Sequence, residues 1–510
     1  MRGGFARLLT GAATLAVGLA AGLTAQPVGA ETLREALARA YRDNPSITGA
    51  RANQRANDES VPIARSQGLP SANVQAAYDN NLYSSNSFLT APRTVSAQGQ
   101  ISVPVYQGGA VRNGVRAAET RVEAGQAQLR QSEADLFTDV VAAYMNVIRD
   151  EAIVGLNTQN VRVLDVNLQA SRDRFQVGDL TRTDVAQSEA RLALARAQLQ
   201  SAEAQLIASR ENYVAVVGIA PVDLQEPPVL PNLPNSPAAA VEVAMRDNPT
   251  LIAAAKQREA TRFDVRVANA NRLPRLSATV GGSYQRVLGS NTNDGISIQQ
   301  SATTAAAGLT ATLPIFQGGR PAAQVRQAEA RESVAIENQT AAERTVIAQA
   351  RSSYAIWQSS ERVIQSSETA VNANKLSLEG VRAENSVGTR TILDILNAEQ
   401  ELLNSQVTLV TARRDAYVAG FALLAAMGNA EARDLGLDGG ALYDPQVNYK
   451  RVRGNIWDFG GDGPATPVAT STAQSRAQDA SVRPQPDPLL TTPVDRNAAL
   501  TTGSAAPSRQ

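Results

Sequence analysis

Apolar residues return along this chain with two different periods, and the pair of periods occurs twice. Leu33, Ala36, Leu37 and Ala40 recur at helical spacing up to Asn44-Pro45, and Val241, Ala244 and Met245 repeat the stripe before Asn248-Pro249. A second helical stretch follows each, ending at Leu69-Pro70 and at Leu273-Pro274. The period then drops to two. Val74, Ala76 and Tyr78 alternate with Asn73, Gln75 and Asp79; Val95, Ala97, Gly99, Ile101 and Val103 alternate with Thr94, Ser96, Gln98, Gln100 and Ser102. In the second half Leu276, Ala278, Val280, Gly282 and Tyr284 oppose Ser277, Thr279, Ser283 and Gln285, and Ala305, Ala307, Leu309, Ala311 and Leu313 oppose Thr304, Gly308, Thr310 and Thr312. Each half is thus predicted to hold one amphipathic β-hairpin, with a polar tip near Asn80 to Thr90 and near Gly289 to Ser301.

Two proline-free runs of roughly 120 residues follow the hairpins, Val105 to Ala220 and Ala322 to Asp444, rich in Ala, Gln, Glu and Arg and therefore helical by propensity. Their apolar stripe has a seven-residue interval: Val115, Val122, Leu129, Leu136 and Ala143, then after one four-residue step Val147, Val154, Val161, Leu168 and Phe175. Trp357, Ile364, Val371 and Leu378 keep the interval in the second run. This is coiled-coil spacing with one stutter. Gly178 and Gly388 interrupt the runs, so each is read as a helical hairpin turning at VGDLT or VGTRT. The first arm, Arg112 to Val177, is about 100 Å long at 1.5 Å per residue.

The two halves also share words. LPSANVQ (69–75) returns as LPRLSAT (273–279), VPVYQGG (103–109) as LPIFQGG (313–319), and VGDLTRTDV (177–185) as VGTRTILDI (387–395), at a spacing of roughly 205 to 210 residues. That is too long for a solenoid unit, so each copy is a half that completes the other. Four amphipathic strands leave unpaired edges, which a bilayer does not tolerate, and four cannot close a barrel. The expected fold is an α+β membrane protein that closes its barrel with further copies of itself. Two copies supply about eight strands and three about twelve, and a lumen wide enough for large cargo favours three. Thr, Ser, Gln and Asn would face water, and Val, Ala, Leu and Tyr would face lipid.

Composition narrows the function. Residues 1–30 read as a signal peptide: Arg2 and Arg7, an apolar run from Leu8 to about Leu23, and Val28-Gly29-Ala30 before Glu31. No later segment has the apolar length of a membrane helix. Cysteine and histidine are absent, which removes thiolate and imidazole chemistry, the usual zinc ligands and any disulfide. No catalytic, cofactor or metal site is expected. The chain carries 48 basic and 48 acidic residues, so nothing electrostatic favours nucleic acid. The first half is placed at residues 31–235 and the second at 236–449. Residues 450–510 form a Pro/Thr/Ser/Ala-rich tail, expected to be disordered and periplasmic beyond about Gly460.

The paired hairpins, the Asn-Pro helix junctions, the doubled PxxQGG turn and VGTRTILDILNAEQELLNSQ (387–406) together resemble the TolC family of outer-membrane factors, over about residues 31–449. The resemblance implies a homotrimer in the outer membrane, with a twelve-stranded barrel and a long α-helical tunnel crossing the periplasm. It implies docking onto a periplasmic adaptor and an inner-membrane transporter, either an ABC translocator or a proton-driven pump. The segment LYDPQVNYKRVRGNIWDF (442–459) is similar to the ending of members that serve type I protein secretion. The expected function is an exit duct for secreted protein; the alternatives are the outer-membrane channel of a multidrug efflux pump and, in another class, a surface adhesin with a coiled-coil stalk. The resemblance also implies a periplasmic gate. Thr183 and Asp184 occupy positions that bond to an arginine of the other hairpin, and Arg390 occupies that arginine's place; Asp394 holds one of two positions whose carboxylates ring the constriction. Asn397 stands where the second acid is expected, and Asn385 where a tyrosine is. Val177, Gly178, Thr181, Val387, Gly388 and Thr391 are the expected adaptor-facing turns.

Overall fold

The computed structural model describes residues 30–83, 93–288, 292–293, 296–297, 300–437, 442–482 and 487–491. The expected signal peptide and most of both hairpin tips lie outside them. The first half runs α1 (Leu33–Asp43), α2 (Pro45–Asp58), α3 (Ser60–Ser66), β1 (Ser71–Asn80), β2 (Arg93–Gln107), α4 (Ala110–Gln176) and α5 (Arg182–Val217). The second runs α6 (Pro237–Asp247), α7 (Pro249–Ala270), β3 (Arg275–Val287), the short pair β4 (Thr292–Asn293) and β5 (Ile296–Ser297), β6 (Ser301–Thr312), α8 (Arg320–Ser386), α9 (Ile392–Met427) and α10 (Pro445–Val452). α4 and α8 have 67 residues each, and α5 and α9 have 36 each.

Local chemistry sets these boundaries. Asn44 and Asn248 accept from the amides of Ser46 and Thr250 at 2.8 and 2.9 Å, with proline at the first helical position of α2 and α7. The first half differs from the second in one place: a single α7 corresponds to α2 and α3, which separate at Glu59. Pro62 explains the break, because it has no N–H to give to the carbonyl of Asp58. At the other end of each hairpin the QGG motifs turn strand into helix, with Gly109 and Gly319 at φ 81° and 80° capping α4 and α8.

All four long strands form one antiparallel sheet in the order β1-β2-β3-β6, so the two hairpins meet at β2 and β3. Register carries the two-residue alternation straight across the chain. Val74 lies opposite Gly99 and Gly99 opposite Gly282, Ile101 opposite Val280 and Val280 opposite Ala307, while Gln75, Gln98, Ser283 and Thr304 form a row on the other face. Ser283 and Thr304 join hydroxyls at 2.7 Å. Large apolar side chains such as Val74, Val280 and Leu309 are 85, 56 and 74% exposed, so this face has no cover from the chain itself.

Below the sheet the heptad stripe is buried, from Val122 and Leu129 through Val147, Val154 and Leu168 in α4 to Val371 and Leu378 in α8. The main core lies where α1, α4, α5, α6 and α9 converge, around Phe137, Tyr144, Leu206, Tyr213, Phe421 and Leu424. Among the described residues no helix is long and apolar enough to cross a membrane. The tail departs from expectation. Its boundary at 450 falls inside α10, and although 460–482 and 487–491 carry no helix or strand, Leu490 is buried against α4 and α9.

Beside the main core, Glu133 of α4 takes the amide of Ala432 at 2.5 Å, and its pKa is pushed up to about 7, first by burial and then by the neighbouring Glu431 and Asp434, with Arg51 opposing. A folded-state value above the usual 4.5 means that its contribution to stability is complete below that pH and is lost as pH rises through about 7. Amide protection across residues 430–437, measured by hydrogen exchange, is therefore expected to fall between pH 5 and pH 8 by up to about 3 kcal/mol. Glu133→Gln should flatten that dependence.

Candidate functional site

The ends of the helical hairpins are built alike from their sequences. Gly178 and Gly388, at φ 90° and 82°, each close a helix with a paired set of backbone bonds. Asp179 N–H donates to the carbonyl of Arg174 at 2.9 Å and Gly178 N–H to that of Phe175 at 3.1 Å; Thr389 and Gly388 repeat the pattern on Glu384 and Asn385, both at 3.0 Å. Three residues after each glycine, Thr181 or Thr391 opens the return helix as its N-cap. Asp184 and Asp394 then close capping boxes, accepting from the amides of Thr181 and Thr391 at 2.9 Å each and from their hydroxyls at 2.7 and 2.8 Å. These bonds hold both carboxyls below the usual range: the hydroxyl bond is the larger cause at Asp184, the backbone bond at Asp394. Both acids are therefore ionised, and both complete the turn.

Each turn presents an apolar residue to solvent. Val177 and Val387 are 70 and 74% exposed, and nothing lies within 4 Å of where a side chain on Gly178 or Gly388 would begin. A valine held on a doubly bonded turn is a rigid apolar point of contact.

The expected gate pair is not formed within the chain. Arg390 Nε donates to Glu384 Oε2 at 2.8 Å, six residues back in its own hairpin, while Asp184 is engaged by Thr181. Thr183 is exposed on the first turn of α5. Asn385 donates to the carbonyl of Arg390 at 2.8 Å, so it ties its own turn and not the opposite hairpin.

The hairpins are joined by other side chains a few turns higher. Asn167 of α4 donates to both oxygens of Glu399 of α9 at 2.9 Å, and Arg382 of α8 reaches Glu399 Oε1 at 3.1 Å. The Glu399 side chain is only 4% exposed, and burial raises its pKa against the opposing pull of Asn167 and Arg382. Arg191 of α5 donates to Asn397 of α9 at 2.8 Å. Asn397, which stands where an acid is expected, is thus a cross-hairpin acceptor. Sequence reasoning missed Asn167, Arg191, Arg382 and Glu399. The one available signal was Glu399's place, four residues after Ile395 on the apolar stripe of α9. Among the described residues no group of acids could hold a metal ion.

Similarity to known proteins agrees with this geometry. The model of the outer membrane efflux protein family matches residues 36–218 and 240–429. The chain is 34% identical over 433 residues to the outer membrane efflux protein BepC of Brucella suis, covering 84% of this chain and 92% of that one. It is 27% identical over 429 residues to the outer membrane protein TolC of Vibrio cholerae, covering 82% and 96%. In fold it is similar to the crystal structure of the Vibrio cholerae outer membrane protein VceC, with a TM-score of 0.66 at 22% identity over 78% of this chain and 96% of that one.

Replacing Glu399 by Gln removes the buried carboxylate that Asn167 and Arg382 share, at a cost of about 1–3 kcal/mol per copy. Site-directed spin labels on α4 and α9 near Asn167 and Glu399 should then report a broader distance distribution. A distribution as narrow as that of the unaltered protein would show that Glu399 does not hold the hairpins together.

Proposed function

The chain belongs to the outer membrane efflux protein family, and from that premise we propose that it is the exit duct of a tripartite export system, carrying secreted protein out of the cell. Members are passive channels of the outer membrane, so the chain is a conduit there and not an enzyme. The observation that carries the reading is the pair of matched helical hairpins, each about 100 Å on its long arm, hung below an amphipathic sheet with two free edges. Homotrimeric closure supplies twelve strands, and the polar row Gln75, Gln98, Ser283 and Thr304 then faces the lumen while Val74, Val280 and Leu309 face lipid.

The internal repeat gives the seam between copies. Within the chain, β2 extends to Gln107 because it pairs with β3 through a bulge between Pro104 and Tyr106. The matching segment Leu313 to Gln317 is not a strand, and Ile315 and Phe316 are 93 and 88% exposed. The sequences agree and the partner differs: what β3 gives β2, β1 of a second copy would give β6. Carrying the β2–β3 register over places Ala311 opposite Ala76 of the next copy, Leu309 opposite Tyr78, and Leu313 opposite Val74, apolar against apolar at each step. The chain has no cysteine. Ala311→Cys with Ala76→Cys should therefore cross-link copies into covalent trimers, and faster cross-linking by Leu309→Cys with Ala76→Cys would reject this register.

Protein as cargo, and an ABC translocator as the pump, follow from the resemblance of residues 442–459. There α10 seats against the first half, Asn448 donating to Asp58 at 2.8 Å and Arg65 to the carbonyl of Arg453 at 2.8 Å. Multidrug efflux is the second reading, favoured by the similarity to an efflux protein over most of the chain. Cross-linking from Val177 and Val387 in intact cells, followed by identification of the adaptor and the inner-membrane protein retained, separates the two: an ABC ATPase supports secretion, and a proton-driven antiporter rejects it.

The gate residues Thr183, Asp184, Arg390 and Asp394 lie at the converging ends of the hairpins, where symmetry would repeat each around the neck. Three copies of Asp394 in a narrow opening favour cations. Asp394→Asn should weaken cation selectivity and block by multivalent cations in planar bilayers while the cap at Thr391 persists in reduced form. Anion preference in the unaltered channel would exclude the ring.

A further inference from the structure

The tail holds a contact that neither the repeat nor the gate uses. Its described part runs along the groove between the two helical hairpins and is anchored to both. On hairpin one, Arg210 of α5 donates to the carbonyls of Asp479 and Ser481 at 2.6 and 2.8 Å while also holding Glu151, and Gln478 N–H donates to Glu211 at 2.9 Å. On hairpin two, Arg413 of α9 meets Asp487 at 2.8 Å, Gln406 donates to the carbonyl of Leu489 at 2.9 Å, and Lys375 of α8 donates to that of Pro488. Gln406 is 1% exposed, so its amide is committed to this segment. Leu490 is 8% exposed and packs with Ala152 and Leu156 of α4 and with Leu403 and Val410 of α9.

We propose that residues 478–482 and 487–490 form a latch: parts of the chain's own tail that bridge hairpin one and hairpin two and must leave their groove before the hairpins slide past each other. This rests on the export-channel reading above. Three features favour a releasable latch over a fixed part of the core. It holds the hairpins through backbone carbonyls and charged hydrogen bonds, with Leu490 the one fully buried side chain among its described residues and Ala480, Val482 and Leu489 half-buried against the adjoining cores. A space of about 960 Å³ remains beside it, bounded by Arg149, Arg210, Arg413, Arg414 and Arg476, so it is not close-packed there. Prolines at 484, 486 and 488 disfavour regular structure, and residues 478–482 and 487–490 carry no helix or strand to lose on release. The contacts fall roughly 20 to 40 Å along the helices from the turns, so the latch leaves Val177 and Val387 free for a partner. An adaptor hairpin lying in the same groove would displace it.

The full chain lacks cysteine, so Leu490→Cys with Leu403→Cys gives a clean lock. Oxidation is expected to form a disulfide within one chain, identified by mass after proteolysis, and to lower single-channel conductance at least twofold, with recovery on reduction. Arg413→Ala with Leu490→Asp is expected to act the opposite way, raising conductance and speeding tryptic cleavage after Arg476 at least fivefold in intact trimers. If the introduced thiol at position 490 is alkylated at once and no disulfide forms, the segment is not seated and the latch is wrong. If the disulfide forms and conductance is the same in both redox states, the segment is seated but latches nothing. Absence of conductance in every state would instead reject the channel itself, and the latch with it.

Discussion

The backbone groups along β1 and β6 that have no partner within the chain dominate this structure. Each is tolerable in water and costs several kcal/mol in hydrocarbon. A lone copy can therefore enter a membrane only by giving those edges to other copies. The sheet's order makes this possible, because placing β2 beside β3 puts the two free edges at opposite ends of the chain's contribution. The closure proposed above would in turn bring the hairpins of all copies together below the sheet.

Much of this was legible because two periodicities are hard to mistake. The alternation around Val74 and Val280 lines up across the sheet residue for residue, and the seven-residue stripe from Val122 to Leu168 is buried as its spacing requires. The positions of Gly178 and Gly388 were readable for the same reason: a glycine followed three residues later by threonine states both the end of one helix and the start of the next. What spacing did not reveal was the use of polar side chains. Asp184 and Arg390 sit at corresponding turns, but a carboxylate three residues past a capping threonine finds that threonine's amide and hydroxyl before it finds anything across a groove. Asn167 and Glu399 lie 232 positions apart and meet through the packing of α4 on α9, which no local pattern encodes. The described part of the tail shows a related limit of composition. Its composition could form no core of its own, and composition does not say that Leu490 borrows one.

Charge is placed differently at two heights of the helical region. At the turns, ionised Asp184 and Asp394 are half-buried and satisfied by their capping threonines. A few turns higher, Glu399 is buried and shared among Asn167 and Arg382, where removing either partner is expensive. The lower level completes the turns and the upper ties one hairpin to the other. Asn397 joins the hairpins without adding charge, since its amide oxygen accepts from Arg191.

The unequal arms of the hairpins have a mechanical meaning. α4 and α8 run unbroken from the glycine pairs beneath the sheet to the turns, whereas α5 and α9 end at Gly218 and Gly428 after 36 residues and hand over to loops. A torque applied at Val177 or Val387 therefore travels to the sheet along one shaft per hairpin, while the return arms end in the main core, where Val217, Met427, Ala430 and Ala432 are buried. Such a linkage clamps both return arms at the core and leaves a single continuous helix in each hairpin to join the turns to the strands.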